Sequence, residues 1–347
     1  MSTSEPARAP LFLVGSERSG STLLRLMLDH HPQIAFHREF DFVVANVSDA
    51  GDVPAVQDYL EWLETSRDVG FTIDPSLDYR GLVDDFLRQK QALSGGKRHV
   101  GATVHRHFNR LRFLWPDARY LHLVRDPRDV ARSVVQKGWA GNIYQGTEMW
   151  IRAEECWDST VEHLAAGQAV EVRYEALVSQ PEAELSRLCS FIGVEYSTQM
   201  LAYSADARQY PPPDAALALQ WRRRLSAEEV GLVEARTGAV MASRGYPPSG
   251  HPVPSIGRVR HRRLLTAARA RRLSTRIDLF GLRVVAMDMA GRRLGIRPLA
   301  RRAQAQMNAV EQRMIDQEAV GERAPSANIA VAGRAPGRGP ETGDGAP

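Results

Sequence analysis

The string Gly15-Ser16-Glu17-Arg18-Ser19-Gly20-Ser21-Thr22 constrains this chain more than any other feature. Before it stands the apolar run Leu11-Phe12-Leu13-Val14, which reads as a buried strand. After it, residues 22–31 carry Leu23, Leu24, Leu26, Met27 and Leu28 and are closed by Pro32, which reads as a helix with a thick apolar face. Strand, glycine-bearing loop and helix open a βαβ unit. The frame is close to the phosphate-cradling pattern G-x-x-x-x-G-K-[ST] in its required setting. The two glycines let consecutive backbone N–H groups turn inward on an anion, and the helix start adds a partial positive charge. Ser21 holds the lysine position, so the cation that reaches a kinase's transferring phosphate is missing there. Arg18 places a cation inside the loop instead.

A second anion site follows a second strand. Tyr120-Leu121-His122-Leu123-Val124 runs into Arg125-Asp126-Pro127-Arg128-Asp129, then Ser133 and Lys137. Ligands of open parallel sheets bind beyond the carboxyl ends of strands, where Arg125 is expected. Ser133 and Lys137 are four residues apart and share a helix face. An arginine fork, a hydroxyl and an ammonium suit a phosphate. Two separated anion sites point to a nucleotide with phosphate at both ends.

Between and beyond these sites, strand and helix patterns alternate. Strands are expected over 99–104, 120–124 and 169–174. Helices are expected over 53–65, 79–93, 109–115, 128–137, 149–166, 181–192 and 226–244. The economical fold is α/β: a P-loop-type three-layer αβα sandwich with a central parallel sheet. Residues 1–10 are expected to be flexible and residues 11–250 to form the main domain. A Pro-, Ser- and Gly-rich stretch at 247–255 marks the boundary. Residues 251–317 form a basic helical extension and 318–347 a disordered tail.

Charge divides along the same line. From residue 251 on, 18 arginines face 8 acidic residues, whereas the first 250 residues carry 27 basic against 33 acidic groups. Residues 258–302 alone hold 14 Arg and 2 acidic residues, interleaved with Leu, Val and Met. Such a stretch fits an interfacial helix against an anionic membrane surface, with no specific nucleic-acid partner expected. No apolar run approaches the length of a membrane span, and the N-terminal run is too short for a secretory signal, so a cytoplasmic location is expected, peripheral to a membrane where the tail docks. Two cysteines, Cys156 and Cys189, provide neither a disulfide framework nor a multi-cysteine zinc site.

Together, Arg18-Ser19-Gly20-Ser21-Thr22 and Arg125 with Ser133 resemble the two nucleotide motifs of the PAPS-dependent sulfotransferases. Val172-Arg173-Tyr174-Glu175-Ala176-Leu177 with Pro181 and the W-R…L-S…G-Y pattern from Trp221 to Tyr246 continue the likeness, which spans roughly residues 11–247. It implies that residues 18–22 hold the 5′-phosphosulfate of PAPS. Arg125 and Ser133 would hold its 3′-phosphate, with Lys137 beside them and Tyr174 against the nucleotide. Residues 18–39 run almost in register with bacterial members and tyrosylprotein sulfotransferases. That register puts the family's catalytic glutamate at Glu39, although Arg38 stands where a second glutamate precedes it. Gln220 stands where those enzymes have a nucleotide-holding lysine before a tryptophan. Cytosolic members use a histidine base, a part open to His105, with His107 behind it.

The expected activity is therefore in-line transfer of a sulfuryl group from PAPS to a hydroxyl or amine of a small-molecule, glycolipid or peptide acceptor. Glu39 or His105 would act as base, Arg18 would stabilise the leaving phosphate, and no metal is required. A P-loop kinase of small molecules and a non-catalytic nucleotide-binding or membrane-docking protein are the alternatives.

Overall fold

The structure is a computed structural model that describes residues 9–64, 70–205 and 210–320. Five strands form one sheet: β1 (Leu11–Val14), β2 (Ile34–Glu39), β3 (His99–Val104), β4 (Arg119–Val124) and β5 (Ala169–Arg173). Their order is β2-β3-β1-β4-β5 and every neighbouring pair is parallel. After β1 the chain builds leftward through β2 and β3, then returns to add β4 and β5 on the right. The strand order thus reverses between β1 and β4, where α/β sheets open a ligand crevice.

Side-chain alternation explains the layers. Phe12 and Val14 of β1 point to one face with Ala102, Val104 and Tyr120, under the helix Tyr79–Leu93 and the helix Glu148–Val161. Leu11 and Leu13 point to the other with Leu121, Leu123 and Val172, under α1 (Ser21–Asp29) and the helix Pro181–Ile192. Strands buried on both faces read as unbroken apolar runs, as β1 does. The α/β fold with a covered central parallel sheet is the one expected from the sequence.

Several boundaries differ. β2 was not expected: only Ile34, Ala35 and Phe36 are apolar and buried, and the polar His37-Arg38-Glu39 continue the pairing with β3 past an irregularity in register. An edge strand whose second half is polar carries too little periodicity to stand out. β5 stops at Arg173, and Tyr174 opens the helix Tyr174–Ser179 instead of closing the strand. The helix Glu148–Val161 ends five residues before the expected limit. Residues 1–8 and 321–347, which include most of the expected flexible ends, lie outside the described residues.

Beyond residue 257 three helices follow, α2 (Arg258–Phe280), α3 (Leu282–Arg293) and α4 (Arg297–Val320). Helix α2 lies on the body through His261, Leu264 and Ala268. Tyr144 Oη meets His261 Nδ1 at 2.9 Å, and Asn142 Nδ2 donates to Leu264 O at 2.8 Å. A Cβ on Gly141 would overlap the Ala268 backbone, so glycine is what lets α2 approach there.

Candidate active site

The first loop takes its shape from backbone that most residues resist. Gly15 has φ 138°, Arg18 φ 68° and Gly20 φ 99°. An added Cβ would drive Gly15 into Leu123 O and Gly20 into the Tyr174 ring. Arg18 is the residue held left-handed without a glycine's freedom, a strained placement that marks functional loops. Gly20 caps α1 without a side-chain hydrogen bond, leaving the first N–H groups of the helix directed at the loop.

The two anion sites inferred from sequence meet in space. Arg18 Nε donates to Ser133 Oγ at 3.0 Å across 115 residues. Arg125 Nη1 donates to Arg18 O at 3.2 Å, and its guanidinium lies 3.9 Å from the Tyr174 ring centre. Tyr174 therefore sits between Gly20 and Arg125. Trp150 Nε1 donates to Arg125 O at 3.0 Å and fixes the end of β4. Arg18 also lies 5.7 Å from the ring centre of Trp139, which is 44% exposed, whereas Trp150, Trp157 and Trp221 are buried. Burial lowers the Arg18 pKa, with Tyr210 opposing it and the Arg125 charge adding to it. Lys137 is exposed at the C-cap of the helix Pro127–Gln136, and its side chain takes no part in the contacts that join Arg18, Ser133 and Arg125.

Two polar atoms here, Ser19 Oγ and Arg125 Nε, are buried without a hydrogen-bond partner. Buried polar groups are almost always satisfied, so two free donors beside the loop fit an anionic ligand.

The base candidates lie at the carboxyl ends of β2 and β3. His105 is buried; its Nδ1 lies 2.9 Å from Gly15 O and its Nε2 3.3 Å from Ser21 Oγ. A carbonyl only accepts, so Nδ1 carries a proton and donates to Gly15 O. Both ring nitrogens are thus engaged in holding the loop. Glu39 is exposed at the end of β2, beside Thr103 of the neighbouring strand, in the field of Arg25 and Arg106. His107 is exposed with φ 55°.

Asp41 and Arg106 were not singled out from the sequence, and Gln220 was noted there only as the residue at a family lysine position. Asp41 Oδ1 accepts from the His105 and Arg106 backbone N–H groups at 2.9 and 2.7 Å and so fixes the end of β3. Burial pushes its carboxyl up against the opposing pull of His105 and those two bonds. Arg106 pairs with Glu17 of the loop at 2.8 Å. Gln220 Oε1 accepts from Arg132 Nη2, and the backbone N–H groups of Gln220 and Trp221 donate to Asp129 at 3.1 and 2.8 Å. These contacts span 60 or more residues and have no local pattern to announce them.

A glycine-bearing loop between β1 and α1, joined through Arg18 to Ser133 and Arg125 beyond the neighbouring strand, is the arrangement of a P-loop-type αβα fold. The sequence profile of the sulfotransferase family matches residues 10–198, from the start of β1 past β5, and the chain belongs to that family. Its activity is transfer of a sulfuryl group, and the kinase and non-catalytic alternatives fall away. The chain is 21% identical over 271 residues to protein-tyrosine sulfotransferase A of Caenorhabditis elegans, covering 72% of this chain and 70% of that one. It is 26% identical over 215 residues to protein-tyrosine sulfotransferase 2 of Gallus gallus, covering 55% of this chain and 53% of the relative. Among solved structures, the sulfotransferase domain of the Synechococcus PCC 7002 olefin synthase aligns with 65% of this chain and 94% of its own. Its identity is 21% and the TM-score 0.49.

Proposed function

We propose that the donor is PAPS, that residues 18–22 bind its phosphosulfate end and Arg125 with Ser133 its 3′-phosphate, and that Glu39 is the general base. The observation that carries this reading is the Arg18–Ser133 hydrogen bond, which joins the two anion sites into one crevice. Ser19 Oγ and Arg125 Nε, buried and unpartnered, are donors suited to oxygens at either end of such a nucleotide.

The acceptor oxygen attacks sulfur in line as the bond from sulfur to the bridging phosphate oxygen breaks. Negative charge grows on that bridging oxygen. Arg18 and the N–H groups at the start of α1 are placed to stabilise it, and removing one such donor costs about 10²–10³ in rate. Glu39 takes the acceptor proton as the new bond forms. His105 acts differently in this scheme: it ties Gly15 to Ser21 and keeps the loop closed. Gln220 Oε1 accepts from Arg132 Nη2, and Arg132 would supply the cation that a lysine at position 220 provides in relatives.

The acceptor class is a proposal of the same kind: a hydroxyl- or amine-bearing small molecule, a glycolipid or a peptide. The named activity of the worm and chicken relatives favours a trial of tyrosyl peptides first. The unpaired thiols Cys156 and Cys189 are compatible with a cytoplasmic site of action.

The test is transfer of label from radiolabelled PAPS to a panel of tyrosyl peptides, phenols and glycolipids. Glu39→Gln should lower kcat by about 10²–10⁴ while leaving PAP affinity within about twofold. Turnover that survives Glu39→Gln and vanishes in His105→Gln with PAP affinity intact would move the base to His105.

A further inference from the structure

The C-terminal helices present a surface that the catalytic reading does not use. Helix α2 faces the body with His261, Leu264, Leu265 and Ala268, the i, i+3, i+4, i+7 spacing of one face. The opposite face carries Val259, Arg262, Arg263 and Leu273, all exposed. Helix α3 repeats the arrangement. Val285, Asp288 and Gly291 are buried, with Gly291 close against the Ala300 backbone of α4. Leu282, Met289 and Arg293, at i, i+7 and i+11, are exposed. Seven of the twelve exposed large apolar side chains among the described residues fall within 259–296, and exposed apolar surface concentrated in one segment is what an interaction site presents.

Charge over the same segment is one-sided. Residues 258–302 hold 14 Arg against Asp278 and Asp288. Asp288 is buried and already satisfied by Arg276 at 2.8 Å and Arg292 at 2.6 Å. Most of the positive charge is therefore left facing outward beside the aliphatic tips.

We propose that this face docks the protein peripherally on an anionic lipid bilayer. The arginines would engage headgroup phosphates, while Val259, Leu273, Leu282, Met289 and Leu294 enter the boundary with the acyl chains. A nucleic acid or other soluble polyanion would take the arginines and leave Val259, Leu282 and Leu294, each about two-thirds exposed, in water. Only a surface that is anionic outside and apolar beneath satisfies both sets. Among the described residues no helix is long and apolar enough to cross a membrane, so the contact is interfacial. The proposal does not depend on the identity of the donor or the base.

Flotation of the full chain with vesicles tests it. Binding is expected to vesicles of phosphatidylcholine with phosphatidylglycerol, and to be at least about tenfold weaker to phosphatidylcholine alone. High salt should weaken it, because the charge contribution is screened. The double variant Leu282→Glu/Leu294→Glu, at exposed positions, should reduce binding about tenfold or more. Arg262→Gln/Arg263→Gln should reduce it severalfold, with the thermal shift by PAP unchanged in both variants. Failure to float with anionic vesicles overturns the proposal. So does binding that the Leu282/Leu294 variant leaves intact and that duplex DNA competes away, which would make the face a polyanion site. Loss of the PAP shift in the unmodified chain would instead count against the catalytic reading and leave this one standing.

Discussion

Arg125 follows the last residue of β4, stacks on Tyr174, touches the backbone of Arg18 and keeps a buried donor free. Replacing it by Ala should weaken PAP binding about ten- to hundredfold, the cost of one lost charged hydrogen bond of roughly 1.5–3 kcal/mol. Calorimetric titration measures this, and an unchanged affinity would remove Arg125 from the phosphate site. On the reading that Arg132, held by Gln220, is a further cation for the nucleotide, Arg132→Gln should weaken PAP severalfold as well. A residue of a different kind is His37, whose pKa is lowered to about 4 by burial first, then by Lys90, Arg38 and Arg25. Its ring packs 4.7 Å from the Phe71 ring and 5.7 Å from that of Phe40. Between about pH 6.5 and 4 the unfolded chain binds this proton and the folded chain does not, so stability falls as pH falls through that window. His37→Phe should flatten the decline of Tm between pH 7 and 4.5; parallel profiles for the two proteins would show that His37 does not contribute.

The element that defines the molecule is β1–loop–α1, and its glycines are structural necessities. Gly20→Ala forces a side chain into the Tyr174 ring at φ 99°, which should cost about 1–3 kcal/mol and lower Tm by several degrees. PAP should no longer raise Tm in that variant; a normal PAP shift would show that the loop tolerates displacement of Tyr174. This element was legible because its signal is local: four apolar residues, two glycines and a leucine-rich helix within twenty positions. So was the run from β4 into Arg125. β2 was not legible as a strand, for its polar second half follows the sheet only because β3 pairs with it. Glu39 was reached through family register alone, without the strand that presents it. Asp41 and Arg106 escaped notice because each acts on a partner far along the chain, and sequence periodicity carries no information about such pairs. Lys137 keeps its one-turn relation to Ser133, its backbone N–H donating to Ser133 O at 3.1 Å, and lies exposed at the C-cap of that helix.

Across the whole molecule, the charge asymmetry follows the architecture. The mildly acidic body contains the sheet and the crevice, whereas the arginine-rich helices lie against it through Gly141, Asn142 and Tyr144. Within the body, the reversal of strand order between β1 and β4 brings together two motifs separated by more than a hundred residues. That convergence is the basis for assigning a donor with phosphate at both ends, and one comparison tests it directly: the thermal shift with PAP, with ADP, and with ATP plus Mg²⁺. A ligand at a hundred times its Kd adds about 2.7 kcal/mol, enough to raise Tm by several degrees in a chain of this size. PAP should produce that rise and ADP much less, because only PAP offers a 3′-phosphate to Arg125 and Ser133. A rise with ATP and Mg²⁺ and none with PAP would contradict the account.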